Sequence, residues 1–272
     1  MRILMCLPTE YQILWEINHW MDKNNQVDEE ISWQQWYRVF DTFQSLGIYV
    51  SLIKPGKNFA DMVFTANAGF SLGRQFILSN FRYSERKVEE VLFKNWFRNE
   101  GFEVFEMPKN IFFEGQGELL PVGNQYLLFG YGFRSDLRAK KYLEKYLKTN
   151  KEIMPLRLVD DRFYHLDTCL FYIDILDTIV YYPKAFDEES LKRISNLKSK
   201  KLEVSEEEAL NFSLNSFSYK DKIILTDNGK LNNKVGVIEQ YARSHRLEVI
   251  KLNMSEFLKS GGGIKCISFI FY

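Results

Sequence analysis

Three side-chain types capable of nucleophilic and acid–base chemistry stand in this chain at a near-constant interval. Glu114 lies in Phe113-Glu114-Gly115-Gln116-Gly117, His165 in Tyr164-His165-Leu166-Asp167-Thr168, and Cys266 directly after Ser260-Gly261-Gly262-Gly263-Ile264-Lys265. With Asn67 (Asp61-Met62-Val63-Phe64-Thr65-Ala66-Asn67) and Asn215 (Asn211-Phe212-Ser213-Leu214-Asn215) they form a series spaced by 47, 51, 50 and 51 residues. A thiol is a nucleophile once deprotonated, an imidazole is the natural proton carrier beside it, and a carboxylate orients the imidazole or holds a cation. The three glycines before Cys266 read as a turn free to adopt positive φ and to approach a ligand. The apolar run Ile267–Tyr272 after it reads as a buried strand that fixes the sulfur.

Each residue also has a plainer reading. Free cysteine commonly fills space in a core, and a histidine between Tyr164 and Leu166 commonly makes one buried hydrogen bond. Asp167, two residues beyond His165, would share its face if the segment were a strand, and would hold either the imidazole or a cationic substrate; the plainer reading is an edge or turn carboxylate. Glu114 follows the apolar Ile111-Phe112-Phe113, where an unpaired carboxylate is costly and a cationic ligand would offset the cost. Asp61 and Asn67 also suit turns. Arg134, after Gly130-Tyr131-Gly132-Phe133, is either a solvated residue at a helix start or an anchored guanidinium able to grip a carboxylate.

The same interval organises the elements that must position these groups. Five amphipathic helices are expected. The first has Ser32 as N-cap and the face Trp33, Trp36, Val39, Phe40 and Phe43, ending at Gly47; the second has Val88, Val91, Leu92 and Trp96, ending at Gly101. The third follows Ser135 with Leu137, Tyr142, Leu143 and Tyr146, the fourth follows Asp187 with Leu191, Ile194 and Leu197, and the fifth carries Val235, Ile238, Tyr241 and Ala242. After each comes a strand-like run: 48–52, 102–105, 156–159, 202–204 and 247–250. Five helix-then-strand units of roughly fifty residues predict an α/β fold of five modules stacked about an axis, with equivalent residues in a ring around it. A doubly wound dinucleotide-binding sheet also alternates helices and strands, but no Gly-rich phosphate turn follows an early strand.

Composition narrows the partners. The 272 residues carry 36 basic and 36 acidic side chains, so no net field draws the chain to nucleic acid or an anionic membrane. The short apolar start Met1–Pro8 is no signal peptide and no stretch reaches membrane-span length. The three cysteines, Cys6, Cys169 and Cys266, have no metal-ligand spacing and cannot all pair. The expectation is a cytoplasmic protein whose partners are small molecules or proteins, without metal or cofactor; self-association is left open.

Taken together the motifs resemble the guanidine-modifying, or amidinotransferase/pentein, superfamily nearly end to end: Asp61–Asn67, Phe113–Glu118, Gly130–Ser135, Tyr164–Thr168 and Ser260–Cys266. That resemblance implies a five-module α/β propeller, here a single catalytic domain over 1–272, with Cys266, His165 and Glu114 catalytic and Asn67, Asp167, Arg134, Asn18 and Asp61 binding substrate. The look is nearest to the arginine dihydrolase type, in which an asparagine stands at the position of Asn67 and another at that of Asn18, within Glu16-Ile17-Asn18-His19-Trp20-Met21. The implied substrate is arginine, its guanidinium between Glu114 and Asp167 and its α-carboxylate on Arg134. Glu118, where aspartate is usual, and His19, where many members have proline, depart from the pattern. Cyanobacterial members carry a further C-terminal domain that handles ornithine; this chain, ending after the Cys266 strand, is expected to lack it. Arginine deiminase, dimethylarginine dimethylaminohydrolase, amidinotransferase and a non-catalytic binding propeller are the alternatives.

Overall fold

A computed structural model of the chain describes residues 1–229 and 235–272. Among them are five three-stranded sheets of one design. In each, a central strand pairs antiparallel with one neighbour and parallel with the other. The first sheet joins β1 (Arg2–Cys6) to β2 (Tyr49–Ile53) in parallel, the chain crossing over through helix Glu29–Ser45. The next three are β3 (Gly69–Leu72), β4 (Gln75–Leu78) and β5 (Glu103–Glu106); β6 (Leu119–Val122), β7 (Tyr126–Tyr131) and β8 (Glu152–Arg157); and β9 (Leu170–Ile173), β10 (Thr178–Tyr181) and β11 (Lys200–Glu203). β12 (Phe217–Tyr219), β13 (Lys222–Asp227) and β14 (Glu248–Asn253) form the last, while β15 (Phe269–Ile270) returns to pair antiparallel with β1 at Ile3 and Leu4. A parallel pair requires a crossover, and here helices Glu89–Asn99, Ala139–Tyr146, Glu188–Asn196 and Val237–Ser244 supply the other four. The five-module α/β propeller expected from the period is the fold. No helix among the described residues is long and apolar enough to cross a membrane.

The helices bury their inner faces on their own sheets. Trp36, Val39 and Phe43 of the first pack with Ile3, Met5 and Ile48. Several details differ from the sequence reading. Asp28, not Ser32, caps the first helix by accepting from the Ile31 amide at 2.9 Å, because Glu29 and Glu30 extend the helical turn towards it. In the second helix Phe93 and Phe97 form the buried stripe, and Val88 and Val91 face solvent. The stripe includes Glu89, whose charge hides it from a hydrophobicity count but which is buried against Arg86 at 2.8 Å. The third helix starts at Ala139, so Leu137 stays exposed; the strand after it is Glu152–Arg157 rather than 156–159. Val235 precedes its helix. β15 is only two residues long.

Candidate active site

The five residues read as equivalent occupy equivalent places: each lies in the turn leading into the antiparallel strand of its module, ahead of β3, β6, β9, β12 and β15. Adjacent turns are linked all the way round. Asn67 Nδ2 donates to Glu114 O at 3.5 Å, and His165 Nε2 lies 2.8 Å from Glu114 Oε2. Asn215 Nδ2 donates to Asp167 O at 3.0 Å and lies 3.1 Å from Cys266 Sγ, while Ala66 N donates to Cys266 O at 3.0 Å, closing the ring.

Cys266 sits on the glycine turn, nearly fully buried. Only Gly261 of the three glycines has positive φ, +76°. A Cβ on Gly262 would fall 2.4 Å from the Phe64 ring, and one on Gly263 2.7 Å from Thr226 Oγ1, so those two are glycine for closeness rather than dihedral. Burial pushes the thiol well above its usual range and the Asp167 carboxylate adds to this. Cys266 Sγ lies 3.6 Å from Asp167 Oδ2. Asp167 is itself lifted to about 7, chiefly by burial, with Lys265 the cation opposing the rise. The resting pair therefore favours an uncharged thiol.

His165 and Asp167 do not share the face of a strand. Residues 166–169 form a single helical turn, with Thr168 N donating to His165 O. The turn sends the imidazole to Glu114 and the carboxylate to Cys266, a more useful divergence than the common face expected. Burial lowers His165 to about 4 despite Glu114, so the ring is neutral near pH 7. The neutral ring donates Nε2–H to the carboxylate and keeps Nδ1 as a base. Burial alone would raise Glu114, but Arg134 and His165 together hold it well below the usual carboxylate range. Gly117 makes the approach possible: a Cβ there would lie 2.6 Å from Asn67 Nδ2 and 3.2 Å from His165 Nδ1.

Arg134 is anchored, not solvated. Its guanidinium lies 4.7 Å from the Tyr83 ring centroid and 4.6 Å from that of Tyr164, bonds Glu114 Oε2 at 3.1 Å and donates to Ile17 O at 2.8 Å. It thus occupies the carboxylate that the sequence reading gave to substrate. Ser135, read as the start of a helix, instead accepts from Glu114 N through its hydroxyl at 3.0 Å. Asn18 organises the segment over the site, donating to Ser260 O and accepting from Trp20 N. Asp61 Oδ2 accepts from Trp15 Nε1 at 2.6 Å, while its buried Oδ1 has no partner.

Cys266, His165, Asn67, Arg134, Asn18 and Asp61 all line one small space, together with Arg86. Glu114 stands behind His165, and Asp167 behind Cys266. Arg86 escaped the sequence reading. It donates to Asn67 Oδ1 at 2.8 Å, to Asp61 O at 3.0 Å and to Glu89, tying two site residues to the second helix. The signal was the i,i+3 pair Arg86/Glu89 at a helix start, indistinguishable in sequence from a surface ion pair. Asn215 entered only as a ring position, and its two contacts with Cys266 come from the fold.

A five-module α/β propeller whose axial turns join a thiol, an imidazole, carboxylates and amides defines the guanidine-modifying, or pentein, class. Within it, the chain belongs to the family described as N,N dimethylarginine dimethylhydrolase, eukaryotic, matched over residues 13–271. It is 39% identical, across 98% of its length, to the bifunctional arginine dihydrolase/ornithine cyclodeaminase ArgZ of Synechocystis sp., and spans 37% of that protein. It is 36% identical to the N(G),N(G)-dimethylarginine dimethylaminohydrolase of Mycobacterium tuberculosis, with 97% of this chain and 84% of that one covered. The product-bound N-terminal domain of ArgZ superposes with a TM-score of 0.90 at 39% identity, covering 98% of this chain and 96% of that one. The chain thus spans little more than a third of the curated dihydrolase relatives.

Proposed function

We propose that residues 1–272 form one catalytic domain that hydrolyses the guanidino group of arginine through a Cys266 thiouronium, as an arginine dihydrolase. The observation carrying this reading is the ring itself: a buried thiol beside Asp167, with the neutral base His165 and the amide Asn67 facing the same space. The guanidinium enters the space faced by His165, Asn67 and Cys266, with the Glu114 and Asp167 carboxylates behind that face, once Arg134 turns from Glu114 to the substrate's α-carboxylate. Its positive charge offsets the desolvation that keeps Cys266 protonated. The thiol proton passes to His165, the S–C bond forms, and His165 returns the proton to the departing ammonia. Water deprotonated by His165 then adds to the thiouronium carbon, the C–S bond breaks, and citrulline is left.

Asn67 supports a second round. A carboxylate at that place would favour a cation, whereas an amide also serves a neutral ureido group. Its Oδ1 is already engaged by Arg86, and one N–H of Nδ2, whose other reaches Glu114 O at 3.5 Å, is left for the ureido oxygen. The second round releases another ammonia and carbon dioxide, leaving ornithine. Purified protein incubated with arginine should yield ornithine and ammonia; citrulline accumulating without ornithine would overturn the dihydrolase reading.

The family match and the mycobacterial relative favour a second reading, hydrolysis of methylated arginine. A panel of arginine, its ω-methylated forms and an amine acceptor separates hydrolase, deiminase and transferase. Absence of turnover with every guanidino compound would leave a binding propeller.

A further inference from the structure

A cavity of about 500 Å³ lies apart from the space in front of Cys266. It has the size of a small-molecule site, roughly 300–1,000 Å³. Its walls are apolar: Leu120, Leu170, Phe171, Leu214, Phe217 and Ile270. Its rim is exposed at Ile175, Asp174 and Lys220, whose opposite charges offset one another. Met1, at the amino terminus, also borders it, and its buried charged lining is two side chains, Lys265 at 5% exposure and Asp167 at 4%. Asp167 therefore borders this cavity while its carboxylate contacts the nucleophile of the proposed site.

Lys265 lacks a full set of partners. Its ammonium donates to Gln116 Oε1 at 3.2 Å and to Ser268 O at a long 3.5 Å, and no carboxylate among the described residues comes within ion-pair distance. A buried ammonium with an unspent proton beside an apolar chamber is complementary to one ligand type. We infer that this cavity binds a small amphipathic monocarboxylate, its carboxylate on Lys265 and its hydrocarbon among the apolar walls.

Binding is coupled to the other face of Asp167. Cys266, Cys169, Tyr164, Tyr272 and Glu118 surround Asp167 electrostatically, and burial disfavours the charged form of each, so Lys265 is the cation on which its ionised form depends. An anion on Lys265 competes with that charge and favours protonated Asp167. Affinity therefore rises as pH falls through about 7, where Asp167 titrates. By the same linkage the ligand weakens the hold of Asp167 on a guanidinium.

The test is calorimetric titration of the full chain with octanoate at about pH 8 and about pH 6, with octan-1-ol and octylamine as controls. Saturable binding at one site is expected, tighter at the lower pH and at least ~10-fold weaker for both controls, for Lys265→Met and for Ile175→Trp, which crowds the exposed rim without touching the floor. No saturable binding, octanol binding as tightly as octanoate, or full affinity in Ile175→Trp would overturn the site. Should Lys265→Met not fold, the octanol control and the rim variant still decide. The titration needs no turnover, so it stands or falls apart from the proposed activity. The coupling rests on that activity: octanoate should lower kcat for arginine as well as kcat/KM, and unchanged turnover at saturation would overturn it.

Discussion

The Asn215 side chain engages Cys266 at both ends of one amide: its Oδ1 accepts from Cys266 N at 3.1 Å and Gly263 N at 2.9 Å, and its Nδ2 lies 3.1 Å from Cys266 Sγ. The amide thereby holds both the turn that carries the sulfur and the sulfur itself. Asn215→Ala should reduce kcat for ammonia release by about 10–100-fold with a folded circular dichroism spectrum, since about 1–3 kcal/mol of buried hydrogen bonding goes with the amide. Cys266→Ser should remove turnover altogether.

Asp167 gives a pH signature with a definite sign. Its carboxyl rises from the usual range to about 7 in the folded chain, so its contribution is complete at low pH and is lost as pH rises from about 4 through 7. Asp167→Asn removes that loss. The variant's melting temperature relative to wild type should climb between about pH 5 and about pH 7 and level off above, by the equivalent of about 3 kcal/mol at 1.36 kcal/mol per pH unit. A constant difference across that range would contradict the burial of this charge.

Two glycines separate conformation from contact. Gly117→Ala should cost activity at least ~10-fold, because the added methyl meets Asn67 Nδ2 and His165, and should cost about 1–3 kcal/mol in stability. Gly47→Ala, at φ +73° in open space at the end of the first helix, should cost about 1 kcal/mol and leave kinetics unchanged. Urea melts with parallel ammonia assays measure both.

Asn67→Asp tests how many nitrogens leave. A carboxylate there faces Arg86, which now donates to the Asn67 oxygen at 2.8 Å, and the new pair should hold the side chain away from a neutral ureido group. The ratio of citrulline to ornithine should rise at least ~10-fold. An unchanged ratio would remove Asn67 from the proposed second round.

The architecture was legible because one feature of the sequence, the recurrence of Asn67, Glu114, His165, Asn215 and Cys266 near every fiftieth residue, is the fold's own symmetry. Local geometry was not. His165 and Asp167 were placed on one face by strand periodicity, and one helical turn separates them. Arg134 was legible as an anchored guanidinium, but nothing in Gly130–Ser135 indicates that Glu114 is its partner. Arg86 and Glu89 were hidden for a physical reason: two opposite charges buried together mimic a solvated helix start, and only tertiary packing at 2.8 Å tells them apart.

The pairing of β15 with β1 makes time part of the design. Phe269 and Ile270 meet Leu4 and Ile3 across almost the full sequence separation, and Cys266 is carried on the turn just ahead of them. Cys266, the proposed nucleophile, is thus the last member of the ring to be synthesised, and the ring closes only when β15 reaches β1. Contacts of such long range are slow to form, and a chain made only as far as β14 lacks the thiol that the proposed chemistry requires.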